Sequence, residues 1–313
     1  MRVTQNAFTE ALVVRLNSLT ARQYTLQNQV STGLRVQAPS DDPAAMQTVL
    51  NYQNSKGQQQ QYAGNISTLQ SRSASIYSVL QQLNSLSSDA SVVATNTSGN
   101  PLLTDLSVYG SKINQDIEAA LEQVNKKDPA TGQYLFGGTA SDQPPFVATR
   151  DASGNVTAVT YQGNASINQS EIAQGVTISA DVVGANTTGT GPRGLITDSA
   201  SGADFFNHLI SLRDHLMAND KTAILNTDIP GLQNDENNLL YQVSYNGSVQ
   251  SRLDTAATAA SDTATSLDKM ISTASDADMV QSMVQLNQAQ NSYQAALQSG
   301  AKIMQLSLLN YIQ

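Results

Sequence analysis

A mainly α-helical chain is predicted by the sequence: a long antiparallel coiled coil or helical bundle with paired N- and C-terminal helices and a small β-rich insert. Three observations carry this. Apolar residues recur at alternating steps of four and three along most of the 313 residues, the spacing that keeps one seam of a helix facing a partner. All eight prolines, at 39, 43, 101, 129, 144, 145, 192 and 230, fall between those seams, where a missing N–H breaks no helical ladder. Eleven of the nineteen glycines lie between residues 132 and 202, where apolar residues alternate instead.

The first seam is Leu12, Leu16, Leu19, Gln23, Leu26 and Val30, and its helix stops at Gly33. Ser40, Asp41 or Asp42 can cap a new helix with Pro43 in its first turn, where proline is tolerated. That second helix carries Tyr62, Ile66, Leu69, Ser73, Ile76, Leu80 and Leu83, then Leu86 or Ser87, Ala90 and Val93, and breaks at Asn96 to Pro101. A third follows with Leu106, Gly110, Ile113, Ile117, Ala120 and Val124, ending before "KKDPATG". In the glycine-rich middle, "PFVAT", "VTAVTY" and "GVTISADVV" read as strands, with "DASGN" (151–155) as a hairpin turn.

Helix resumes with Phe205, Phe206, Leu209 and Leu212. The longest seam then runs from Leu232 through Leu239, Val243, Asn246, Leu253 and Ala260 to Ile271. Ser275 with Asp278 resembles a capping box for the last helix, whose apolar spacing is Met279, Met283, Leu286, Gln290, Tyr293, Leu297, Gly300 and Met304. Helices before the insert must be matched by helices after it. The expected organisation is therefore a terminal pair (1–40 with 276–313), a bundle (41–131 with 203–275) and a β-rich outer insert (132–202).

Composition narrows the function. A net charge of −9 provides no footprint for a phosphate backbone, so nucleic acid is not an expected partner. Cysteine is absent, which removes disulfides and thiolate chemistry. No stretch approaches the 18 apolar residues of a membrane span, and the N-terminus lacks the pattern of a cleaved signal peptide. Neither membrane insertion nor signal-dependent export is expected. His208 and His215 lie seven apart on one helix, roughly 10 Å, too far to share one metal, and are expected at the surface. Asp41 and Asp42 beside Pro43 read as caps, "DASGN" as a turn and not a calcium loop, and "GTGPRG" (189–194) lacks the lysine of a phosphate loop. No catalytic residue, cofactor or metal is expected.

The two ends carry more apolar surface than one partner helix can cover. Ala11, Leu12, Val13 and Val14 surround the first helix, with Val3 and Phe8 before them; Ile303, Met304, Leu306, Leu308, Leu309, Tyr311 and Ile312 do the same at the finish. Each fully buried Leu or Ile contributes roughly 1.5–3 kcal/mol, so these ends call for neighbours. A membrane surface would favour a basic polar face, whereas here that face is Gln, Asn, Ser and Thr. Assembly with other protein subunits is expected, through Phe8, Leu12, Leu16, Leu19, Leu26 and Val30 at one end. At the other, it would use Met279, Met283, Leu286, Tyr293, Leu297, Met304, Leu308, Leu309 and Ile312. Gly33, Pro39, Asp41, Asp42 and Pro43 would form a joint between this pair and the rest.

"QNQVSTGLRVQAPSDDPAA" (27–45) resembles the segment after the first helix of bacterial flagellins, and "LNQAQNSYQAALQSGAKIMQLSLLNYIQ" (286–313) is similar to their C-terminal helix. Within that family, "GQYLFGGT" (132–139) and the ending "LLNYIQ" are closer to the hook-associated members at the hook–filament junction. The resemblance covers about 45 N-terminal and 40 C-terminal residues strongly. It implies a non-enzymatic subunit of an extracellular tube, its terminal helices innermost and its insert outermost. The implied partners are copies of itself in a ring-like junction, another hook-associated protein on the hook side, flagellin on the filament side, and a flagellar export chaperone. A flagellin-type filament subunit and a coiled-coil adhesin or binding module are the competing expectations.

Overall fold

The structure, a computed structural model, describes residues 2–100 and 102–312, with side chains over 9–305. Its order is α1 (Arg2–Thr32), α2 (Pro43–Gly99), α3 (Ser107–Val124), β1 (Phe146–Arg150), β2 (Val156–Tyr161), β3 (Ser170–Ala173), β4 (Val176–Ile178), β5 (Ala185–Asn186), β6 (Thr197–Asp198), β7 (Ala203–Asp204), α4 (Phe205–Met217), α5 (Lys221–Ala223), a π-helical turn (Ile224–Asp228), α6 (Ile229–Ser275) and α7 (Met279–Ile312). Two compact units emerge: residues 1–58 with 262–313, and residues 59–261.

In the first unit α1 and α7 pack as an antiparallel pair. Leu12 lies against Gly300, Gln23 donates to the Ala289 carbonyl at 3.2 Å, and Leu34 bridges to Asp276. The α1 seam at 12, 16, 19, 23, 26 and 30 is half-buried throughout and fully buried at Leu26. On α7 the seam differs from the one the sequence suggests. Ser282, Leu286, Ala289, Tyr293, Ala296 and Gly300 are the covered residues, while Met279, Met283, Leu297 and Met304 are exposed. Steps of four and three are retained, but the register follows small residues. They let the α1 leucines approach the α7 backbone: a Cβ on Gly300 would stand 2.5 Å from Leu12 Cδ2.

In the second unit the β-rich segment shares one core with the helices. Ile76, Leu80 and Leu83 of α2, Ile113 and Ile117 of α3, Phe205, Leu209 and Leu212 of α4, and Leu232 and Leu239 of α6 are buried with Phe136, Phe146, Val156, Leu195 and Ile196. The predicted seam of α3 lines this core and those of α2 and α6 divide between it and a second cluster holding Ile66, Leu69, Leu253 and Ala260, with the polar seam residues Ser73, Ser87 and Asn246 buried as well. β1 and β2 form an antiparallel hairpin over the predicted 151–155 turn, where the Asp151 carboxylate accepts the Ser153 and Asn155 amides. β3 and β4 form a second hairpin; Ile172 and Ile178 pack with Ile66 and Leu69 of α2 and Val249 and Leu253 of α6. β5 pairs parallel and β7 antiparallel to β6.

Polar side chains tie the loops of the β-rich segment to the helices. Arg72 of α2 donates to Asp181 at 2.6 Å, to Asp128 at 3.4 Å and to the Leu135 carbonyl at 3.2 Å, and both carboxylates are buried. Asn238 of α6 donates to the Gly194 and Leu195 carbonyls, and Gln242 to that of Arg193. The 132–139 segment thus meets α2 through Leu135, and the Phe136 carbonyl accepts the Tyr161 hydroxyl at 3.0 Å.

Two local expectations are corrected. Ser275 does not cap α7: it closes α6, its hydroxyl donating to the Ile271 carbonyl, and Asp278 is the cap, accepting the Gln281 amide at 3.0 Å. The histidines are not free surface groups. His208 Nδ1 lies 2.7 Å from Asp235 and His215 Nδ1 2.7 Å from Asp228, both aspartates being buried. The reason is the return of the chain through α5 and the π turn, which brings residues 13 and 27 positions away onto the face of α4.

Removing Arg72 leaves two buried carboxylates without their cation. Arg72→Ala is expected to lower unfolding free energy by about 3 kcal/mol in denaturant titration, and Arg72→Lys to recover less than half, since a single ammonium cannot serve three acceptors in this fork.

Candidate assembly surface and its joint

The joint begins at Gly33, which ends α1 with φ +75°. Nothing lies within 4 Å of where its Cβ would be, so the backbone, and not space, requires glycine there. The next residues run extended against the break between α6 and α7. The Arg35 and Val36 amides donate to the Ser275 carbonyl at 2.6 and 3.2 Å, and the Ala277 amide donates to the Gly33 carbonyl at 2.8 Å. Leu34 and Asp276 form an antiparallel bridge, and Val36 is buried. Two helix interruptions 240 positions apart are therefore stitched together by main-chain bonds.

Side chains complete the turn. Asp41 accepts the Gln37 and Ala38 amides, each at 3.0 Å. Asp42 caps α2, accepting the Ala45 amide at 3.0 Å, while Pro43 occupies the first helical position. Pro39 stands in the turn between them. Arg35 spans both strands of the joint, donating to Asp42 at 3.2 Å and to the Ala274 carbonyl at 2.8 Å. Its role was not legible in the sequence, because only the fold brings residue 274 beside residue 35. The Ala38 and then the Gln37 amide hold the Asp41 carboxyl below the ordinary carboxylate range; the Ala45 amide, then Arg35, do the same for Asp42.

The assembly residues expected from the sequence fall into two sets. Leu12, Leu16, Leu19, Leu26 and Val30 face inward with Leu286 and Tyr293. Met279, Met283, Leu297 and Met304 face outward, joined by Val13, Val14, Val280, Val284 and Ile303. Val14 is 68% exposed and Val280 75%, high values for residues that gain by burial. The Phe8, Leu308, Leu309 and Ile312 side chains lie outside the described residues. Between the helices a groove of about 760 Å³ is lined by Leu12, Val14 and Arg15 of α1 and by Ala295, Ser299 and Gly300 of α7.

Among the described residues, no group of three or more His, Asp or Glu side chains is placed to hold a metal, and no helix is long and apolar enough to cross a membrane. Ser211, His215 and Asp228 stand together: the Ser211 hydroxyl and His215 Nδ1 each lie 2.7 Å from the carboxylate and 3.4 Å from one another, so hydroxyl and carboxylate share one ring nitrogen instead of lying on opposite nitrogens as in a nucleophile–base–carboxylate triad.

Gly33→Ala is expected to cost about 1–2 kcal/mol, read as an earlier loss of helix on heating. The depressed pKa of Asp41 and Asp42 sets the sign of a pH effect: their stabilisation is complete above the ordinary carboxylate value, about 4, and lost as pH falls through the lower folded values. The Gln37, Ala38 and Ala45 amide shifts in NMR spectra are thus expected to hold steady from pH 8 to 5 and to move only below about pH 4. Asp41→Asn should abolish the step at Gln37 and Ala38 alone.

Residues 232–312 match the family model of the bacterial flagellin C-terminal helical region. No curated protein gives a significant sequence match. Solved structures do match. A Vibrio parahaemolyticus protein described as flagellar hook-associated superimposes with a TM-score of 0.64 at 21% identity, covering 75% of this chain and 99% of that one. Bacillus cereus FlgL gives 0.52 at 18%, over 74% and 100% of the two chains. The flagellar junction protein FlgL of Legionella pneumophila gives 0.51 at 13%, over 72% and 98%. Residues 232–312 thus resemble the flagellin C-terminal helical region, and the chain shares the fold of these flagellar hook-associated proteins.

Proposed function

We propose that this chain is a non-enzymatic structural subunit of the bacterial flagellum, forming the adaptor between hook and filament. The observation that carries the reading is the uncovered apolar face of each terminal helix. α1 and α7 are already paired along one seam, yet Val13, Val14, Val280, Val284, Met283 and Ile303 remain exposed. Neighbouring subunits are the covering that suits them, since the polar residues beside them are mostly uncharged and offer little to an anionic membrane. The flagellin C-terminal region and the hook-associated fold supply the setting.

In this reading residues 1–40 and 276–313 form the inner assembly layer, 41–131 with 203–275 the bundle outside it, and 132–202 the outermost part. Gly33, Pro39, Asp41, Asp42 and Pro43 are the joint between layers. Copies of the chain close a ring-like junction, with another hook-associated protein on the hook side and flagellin on the filament side. The subunit reaches the cell exterior escorted to the export apparatus by a flagellar chaperone.

Deleting the gene from its source bacterium is expected to leave hooks in place while flagellin is shed into the medium; normal filaments on electron microscopy would reject the assignment. Complementation with a Val14→Asp, Val284→Asp double variant tests the surface itself. Its helix content should match the parent by circular dichroism, because both side chains are more than half exposed, yet filaments should not be restored. Long filaments grown from the purified chain alone would instead favour a flagellin-type filament subunit.

A further inference from the structure

α4 meets the returning chain through two histidine–aspartate contacts of the same form. His208 Nδ1 is 2.7 Å from Asp235 Oδ2, and the other oxygen of Asp235 accepts the Asp204 amide at 2.8 Å. One face further on, His215 Nδ1 is 2.7 Å from Asp228 Oδ2, whose other oxygen accepts the Ser211 hydroxyl at 2.7 Å. Both aspartates are 1% exposed, whereas the imidazoles keep about a quarter to a third of their surface in solvent, 26% and 30%. The buried Asp235 carboxylate thus has in His208 a partner that can gain or lose a proton to the medium. α6 is pressed directly on the first ring: a Cβ on Gly231 would stand 2.8 Å from His208 Cδ2.

We propose that His208 and Asp235 form a proton-operated clamp that holds α4 to the first turns of α6 in mildly acidic medium and slackens in alkaline medium, the His215–Asp228 hydrogen bond being a separate tie between α4 and the π turn. A neutral imidazole can still donate from Nδ1, so the hydrogen bond survives deprotonation. What is lost is the positive charge facing a desolvated carboxylate, and an uncompensated buried charge is costly.

The surrounding charges do not replace it. Asp204 at the head of α4 and Asp228 on the π turn add negative potential at His208. Arg213 of α4 is engaged by Asp214, Asn114 and the Val156 carbonyl, and Lys221 of α5 by the Asn100 and Leu103 carbonyls. The hydrogen bond to Asp235 outweighs the opposing effect of burial and lifts His208 above its ordinary value; burial lifts Asp235 as well. Both shifts have the same sign. The stabilisation is complete below the ordinary imidazole value, about 6.5, and is lost as pH rises through the folded value.

Amide hydrogen exchange on the full chain, corrected for intrinsic rates, measures the clamp. Opening of α4 amides is expected to rise roughly fivefold between pH 5.5 and 8.5, the loss of one partly solvated ion pair, and His208→Gln or Asp235→Asn should flatten that dependence. A native chain whose α4 opening does not change with pH, or a His208→Gln chain with the native slope, overturns the clamp. Should the variants not fold, an NMR titration of His208 in the native chain decides: a midpoint above that of free imidazole supports it, and one at or below it overturns it.

Discussion

Two helices that touch along one seam can cover only one stripe of each other, and the first unit is organised by that limit. α7 uses small residues for its stripe, so α1 comes close enough for Leu12 to lie over Gly300. Close approach gives good packing per residue but narrows the contact. Val13 and Val14 of α1 and Met279, Val280, Met283, Val284 and Met304 of α7 are then left exposed. Their exposure follows from the geometry of a two-helix contact.

The joint has a related logic. The two helix interruptions are cross-bonded through Ser275, Gly33 and Ala277. Carboxylates at Asp41, Asp42 and Asp278 satisfy the amides that the breaks expose, and Arg35 fastens one strand to the other. The helix ends are thereby defined on both strands without a hydrophobic core of their own, Val36 excepted.

The second unit follows a different rule, because its strands are too short to hold themselves. β5, β6 and β7 have two residues each, below what an isolated sheet sustains. Helical side chains instead hold the loops beside the strands, Arg72 at Asp128, Leu135 and Asp181, and Asn238 and Gln242 at residues 193–195. The stretch is less an independent domain than a long, hydrogen-bonded covering for the helical core, and the charges buried beneath it tie its stability to ionisation as well as to packing.

Much of this was legible in the sequence, and for a definite reason. Helix existence, the stop at Gly33, the restart at Pro43 and the seams of α2, α3 and α6 depend on local spacing and agree with the structure, whereas α2 runs on through Asn96 to Gly99 and the cap of α7 is Asp278 and not Ser275. The surplus of apolar residues at the ends shows as exposed Val13, Val14, Ile303 and Met304. The α7 seam was read through Met279, Met283, Leu297 and Met304 because hydropathy ranks large residues first, whereas the contact selects small ones that permit closeness. His208 and His215 gave no sign of their partners, since a pair is defined by the path of the chain between its members. The bond from Arg35 to residue 274 and the three bonds of Arg72 were hidden for the same cause. Local periodicity and steric rules settle which segments become helix; which side chains then meet is a property of distances across the fold, and those exist only once it has closed.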